Sequence, residues 1–163
     1  MAERQRSFAE NIALAPLTDL EFAQFQKLLL DVAGITLSKD KKLLVAGRLD
    51  KRVKECGLTT YRQYLQRLQG RDRSEELQRA IDLLTTNETY FFREQKHFDF
   101  LATQVLPHCR PRRPFRVWSA ACSSGEEAYS IAMTLATHLD EGTWSVFGSD
   151  LSTRVLAKAH SGH

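Results

Sequence analysis

The apolar positions of this chain fall into two regimes. From Thr18 to Thr85 they recur at helical spacing, whereas beyond Phe115 they gather in short strand-like runs. Thr18-Asp19-Leu20-Glu21 is a capping box, in which a hydroxyl and a carboxylate satisfy the orphan N–H groups of a first helical turn. Phe22, Phe25, Leu28, Leu29 and Val32 follow on one face, and Gly34 supplies the stop. A second helix is expected over 38–56, with Leu43, Leu44 and Val53 contributing its apolar face and Gly57 after it. A third starts at Thr59 or Thr60, buries Tyr61, Tyr64, Leu65 and Leu68, and stops at Gly70. A fourth starts at Ser74 with Leu77, Ile81 and Leu84 inward. Four short amphipathic helices joined by short loops predict a small all-α bundle over 18–85, preceded by a polar leader over 1–17.

Thr85-Thr86-Asn87-Glu88-Thr89 interrupts the helical pattern, because such side chains compete for backbone hydrogen bonds and favour turns and caps. Phe91 and Phe92 are expected to anchor this stretch, and a further helix places Phe98, Leu101 and Val105 inward. Pro107, Pro111 and Pro114 close a linker-and-helix region spanning 86–114. From 115 to 163 the pattern is strand, small-residue loop, helix, strand, helix. The strands are Phe115–Ala120 and Trp144–Asp150, the loop is Ala121–Gly125, and the helix between them runs from Glu126 to Leu139. A final helix begins over Leu151–Ala159. Strands joined through a helix pair in parallel. The fold class is therefore α+β overall: an all-α bundle followed by an incomplete α/β, Rossmann-like unit.

With 163 residues and 42% apolar composition there is enough material for real cores, and wholesale disorder is excluded. No apolar run approaches the ~18 residues that a membrane span needs. Three widely spaced cysteines, Cys56, Cys109 and Cys122, argue against a disulfide framework and for a reducing, cytoplasmic setting. Five histidines show no metal-ligand spacing, so no metal is expected. The net charge of +3 is too small to imply nucleic-acid binding. The second helix, however, carries seven basic and three acidic residues, +4 in all, and so exceeds the balance of the whole chain. It is either a solvated face or a docking face for an acidic partner.

The strand–helix–strand unit places ligands beyond the carboxyl ends of its strands. Asp150 ends the second strand twenty-five residues after Gly125, close to the spacing at which an acid accepts hydrogen bonds from a ribose diol. The loop has one glycine rather than the three of a dinucleotide site, and Glu126-Glu127 follow at once. Two carboxylates there repel a phosphate and favour a cationic ligand. A cofactor with a ribose, a cation and no phosphate is S-adenosylmethionine. The competing reading is that both glutamates only complement the helix dipole, and spacing alone does not separate the two.

Two stretches reach further. Val117-Trp118-Ser119-Ala120-Ala121-Cys122-Ser123-Ser124-Gly125-Glu126-Glu127-Ala128-Tyr129-Ser130-Ile131-Ala132 closely resembles the cofactor-loop segment of the CheR chemoreceptor methyltransferases, and Thr85-Thr86-Asn87-Glu88-Thr89-Tyr90-Phe91-Phe92-Arg93-Glu94 resembles their linker motif. The resemblance implies an S-adenosylmethionine-dependent protein-glutamate O-methyltransferase of bacterial chemotaxis, with a class I methyltransferase fold and S-adenosylhomocysteine as product. It implies cofactor contacts from Asn87, Thr89, Arg93, Glu126 and Asp150, with Arg93 also the catalytic candidate as an orienting fork for a carboxylate. It implies that the basic helix docks on the cytoplasmic helices of methyl-accepting receptors, with Arg48, Lys51 and Arg52 as candidate contacts.

The family's catalytic domain continues on the order of a hundred residues beyond a second strand. The chain is therefore expected to be a truncated form with little activity alone, and to self-associate through its incomplete sheet. Signalling regulators are a second candidate class of partner; nucleic acid and membrane insertion are not expected. The alternative function is a non-catalytic receptor- or signalling-protein-binding module with a vestigial nucleotide fold.

Overall fold

Thr18 and Glu21 hydrogen-bond reciprocally and start helix α1, Asp19–Ala33: the Thr18 N–H donates to Glu21 Oε2 at 2.9 Å and the Glu21 N–H to Thr18 Oγ1 at 3.2 Å. The computed structural model describes residues 13–70, 74–109 and 114–162. Residues 1–12 of the leader, Pro111 of the linker and the terminal His163 lie outside the described residues. Two compact units emerge, the first ending at Thr85 and the second beginning at Thr86.

In the first unit α1 ends at Gly34, whose φ of 67° suits a residue without Cβ. A 3-10 turn, Lys39–Lys41, leads into α2, Lys42–Glu55. Helix α3, Tyr61–Gln69, opens on a second capping box between Thr60 and Gln63, and α4 spans Ser74–Leu84. Packing runs in a ring: α1 meets α2 and α3, and α4 meets α2 and α3. Phe25, Val45, Leu49, Val53, Tyr64 and Leu68 are fully enclosed, and Phe25 meets Tyr61 edge to face at 6.2 Å.

The apolar face expected of α2 is corrected. Leu43 is 83% exposed and Leu44 is exposed too, whereas Val45, Leu49 and Val53 form the buried stripe. Three consecutive apolar residues cannot share one face of a 3.6-residue helix, and the i, i+4 series through Val45 is the one that meets the core. Val32 of α1 is likewise exposed.

In the second unit α5, Gln95–Phe100, continues into a π-helical turn, Leu101–Val105, and a 3-10 turn, Leu106–His108. Strand β1, Phe115–Ala120, pairs in parallel with β2, Trp144–Ser149, in the register Phe115 opposite Trp144 through Ala120 opposite Ser149. Helix α6, Glu126–His138, connects them, and α7, Thr153–Ser161, follows β2. Phe115, Val117, Trp144 and Val146 turn one face of the sheet toward Ile131 and Leu135 of α6, while Trp118 and Phe147 on the opposite face are exposed. Among the described residues no helix is long and apolar enough to cross a membrane.

Candidate functional site

The loop between β1 and α6 is built from left-handed backbone. Ala121 has φ 67°, Ser123 φ 50° and Gly125 φ 101°. Conformations of this kind cost about 1 kcal/mol or more for residues with a Cβ and concentrate at binding sites. Gly125 is also required sterically, since a Cβ there would lie 3.0 Å from the Tyr129 ring and 3.1 Å from the Ala159 methyl. Gly148 lets β2 pass close to the loop, because its Cβ would meet Cys122 Sγ at 3.0 Å. Cys122 is buried, and burial together with the nearby Asp150 carboxylate raises its thiol pKa. It is a neutral filler of the loop.

Asp150 stands just past the carboxyl end of β2. Its Oδ2 accepts from the Ser123 N–H at 2.9 Å and its Oδ1 from the Ser152 N–H at 2.9 Å. Each carboxylate oxygen keeps a second acceptor site for hydroxyl donors such as a diol. Glu126, the first residue of α6, accepts from the Ser124 hydroxyl at 2.8 Å, and Glu127 accepts from the buried Ser119 hydroxyl at 2.6 Å. The adjacent glutamates are thus divided between the loop and strand β1. Among the described residues no ion pair involves Glu126, Glu127 or Asp150.

The linker segment is fastened to this loop. The Ser123 hydroxyl donates to the Asn87 carbonyl at 3.0 Å, so one serine touches both Asn87 and Asp150. The Phe92 N–H donates to Ser130 Oγ on α6 at 2.9 Å. Arg93 turns back on its own segment, donating from Nη1 to the Glu88 carbonyl at 2.8 Å, with its guanidinium 5.9 Å from the Tyr90 ring centre. Thr89 is half-buried in the same segment. The expected Phe91-Phe92 anchor is corrected to Phe92 alone, which meets Phe98 edge to face at 5.2 Å; Phe91 is exposed. The structure therefore brings together Asn87, the loop, Glu126 and Asp150, while Arg93 bonds within the linker. Ser123 and Ser130, to which the sequence pattern assigns no role, are the fasteners. Their signal was two hydroxyls flanking the Gly-Glu-Glu run.

In the helical unit two of the three docking candidates also make hydrogen bonds within the unit. Arg48 Nη1 donates to the carbonyls of Leu84 at 2.7 Å and Thr85 at 3.2 Å, capping the end of α4. Arg52 grips Glu76 through two hydrogen bonds, Nε to Oε1 at 2.8 Å and Nη2 to Oε2 at 2.5 Å. Lys51 is exposed. Lys41 and Lys42 pair with Asp40 and Asp19 at the surface.

Comparison with known proteins agrees with the division into units. Residues 20–85 match the all-alpha domain of the CheR methyltransferases, and residues 87–163 match their SAM-binding domain. A chemotaxis protein methyltransferase of Escherichia coli (strain K12) is 48% identical over 149 residues, covering 90% of this chain and 51% of the relative. One from Salmonella typhimurium is 46% identical over 149 residues, covering 90% of this chain and 50% of the relative. One from Borreliella burgdorferi is 36% identical over 172 residues, covering 99% of this chain and 60% of the relative. The chain spans about half the length of the curated relatives it matches.

Proposed function

The chain belongs to the CheR methyltransferase family, and on that premise we propose that it carries the helical unit and the opening portion of the cofactor site of a chemoreceptor glutamate O-methyltransferase. The supporting observation is the Ser123 bridge, which joins Asn87 and Asp150 to one loop that runs directly into the Glu126 and Glu127 carboxylates. That environment fits S-adenosylmethionine: acceptors for a ribose diol and negative charge for an ammonium or sulfonium. When bound, the cofactor supplies an activated methyl group on sulfur.

The residues then divide the work. Asp150 accepts from the ribose, Asn87 and Thr89 hold the cofactor from the linker, and Glu126 faces its cationic part. Arg93 orients a carboxylate, either the cofactor's or the substrate's. No side chain has to remove a proton, because a glutamate substrate is already ionised at neutral pH. Rate enhancement rests on alignment and on stripping water from that carboxylate. Receptor docking falls to the basic face of α2, with Arg48, Lys51 and Arg52 as its contacts, Arg48 and Arg52 being held in place by their bonds within the helical unit. The cytoplasm is the proposed location.

Calorimetry with S-adenosylhomocysteine tests this reading. Binding by the chain that is lost in Asp150→Ala supports it, and absence of binding by the unaltered chain overturns the cofactor assignment.

A further inference from the structure

We propose that Ser130 is a positioning residue: its buried hydroxyl latches the linker in a strained turn and thereby sets where Arg93 stands. Ser130 is fully enclosed in the second turn of α6. Its Oγ uses both hydrogen-bonding capacities, donating to the Glu126 carbonyl at 2.6 Å and accepting from the Phe92 N–H at 2.9 Å. A serine inside a helix commonly bonds only to its own preceding turn. This one carries the bond onward, from the first residue of α6 to a linker 38 residues earlier in sequence.

The recipient is strained. Phe92 has φ 54° and Glu94 has φ 56°, so left-handed residues stand on either side of Arg93. A bulky residue persists at positive φ only where its surroundings over-determine it. Two contacts do so at Phe92: its ring packs against Phe98 at 5.2 Å, and its amide is held by Ser130. The turn closes on itself through the Arg93 N–H to the Tyr90 carbonyl at 3.3 Å and Arg93 Nη1 to the Glu88 carbonyl at 2.8 Å. Without the Ser130 acceptor the Phe92 amide has lost its partner and the strain its justification. The segment then relaxes toward ordinary backbone, and the guanidinium moves with it. The link to a ligand rests on the cofactor reading above; the latch itself does not.

Thr134 supplies the matched control. It is buried one turn further along the same helix, and its hydroxyl donates to the Ser130 carbonyl at 2.9 Å. Thr134→Val removes a hydrogen bond from α6 without touching the linker amide. The experiment is residue-resolved amide hydrogen exchange by NMR on the chain, its Ser130→Ala form and its Thr134→Val form. Ser130→Ala speeds exchange at the Phe92 amide about tenfold or more, the scale expected for one lost hydrogen bond, and leaves the Phe25–Leu29 amides unchanged. Thr134→Val leaves Phe92 unchanged. Equal exchange at Phe92 in the unaltered and Ser130→Ala chains overturns the latch, as does equal acceleration by both variants.

S-adenosylhomocysteine titrations complete the cycle. Ser130→Ala weakens affinity when Arg93 is present and adds nothing in an Arg93→Ala background. Additive losses overturn the link through Arg93. Failure of the unaltered chain to bind sinks the cofactor reading, and the exchange comparison still decides the latch.

Discussion

Arg52 and Glu76 form a two-pronged ion pair across 24 residues of sequence, with side chains 18% and 6% exposed. The Tyr64 hydroxyl adds a third bond to Glu76 Oε1 at 2.8 Å, so the carboxylate fastens α2, α3 and α4 together. Removing Arg52 takes both close charged bonds from Glu76 and leaves the enclosed carboxylate only the Tyr64 hydroxyl and Arg67 at 4.0 Å, which costs about 3 kcal/mol. Arg52→Ala is therefore expected to lower the urea midpoint of the helical unit sharply, whereas Lys51→Ala at the exposed neighbouring position shifts it by no more than about 0.5 kcal/mol. Equal shifts would sink the structural assignment of Arg52.

The same pair sets an acid limit. Hydrogen bonding to Arg52 outweighs the burial penalty, and with Tyr64 it brings Glu76 from an ordinary 4.5 down to about 2. A depressed folded-state pKa gives stability that is fully present above 4.5 and lost as pH falls toward about 2. Denaturant midpoints measured down that range should fall in the unaltered chain. Glu76→Gln should begin lower at neutral pH and lose less on acidification. Glu21, held down by Thr18 and the Arg62 amide against its own burial penalty, adds loss of the same sign.

Docking on an acidic receptor surface should depend on Lys51 and weaken with salt, because exposed charges act over a screening length of about 10 Å at 0.1 M ionic strength. Lys51→Glu is expected to reduce binding of receptor helices while S-adenosylhomocysteine affinity stays constant. Loss of both together would point to misfolding rather than to docking.

What the sequence disclosed was mostly local. Capping at Thr18, Glu21 and Thr60 and the stop at Gly34 are signalled within a few residues, so the helix limits followed from short-range chemistry. The long loop and linker motifs located Asn87 and Asp150, which the structure joins through Ser123. What stayed hidden was tertiary. A cation's partner cannot be read from its own helix, so the bonds of Arg48 to Leu84 and Thr85 and of Arg52 to Glu76 are visible only in the structure. Leu43 and Val45 look alike in sequence, and only the packing of α2 decides which is buried. The π-helical turn at Leu101–Val105 interrupts a stretch whose apolar residues read as continuous α-helix.

Gly125 is where the loop, α6 and α7 converge, and its replacement should separate the two units experimentally. Three costs fall on Gly125→Ala: a left-handed φ of 101°, a methyl 3.0 Å from the Tyr129 ring, and another contact at 3.1 Å on Ala159. Tyr129 cannot retreat freely, because its hydroxyl donates to the Ala159 carbonyl at 2.7 Å and so ties α6 to α7. Together these should cost at least about 2 kcal/mol. Both tryptophans, Trp118 and Trp144, lie in the strands of the second unit, so their fluorescence reports on that unit alone. The tryptophan-detected transition should shift to lower denaturant. Amides enclosed in the helical core, such as those of Phe25 and Leu49, should keep their exchange protection, and S-adenosylhomocysteine binding should weaken in step with the fluorescence transition. An unmoved tryptophan transition would mean that the loop accommodates the methyl group, and that the convergence at Gly125 does not constrain the site.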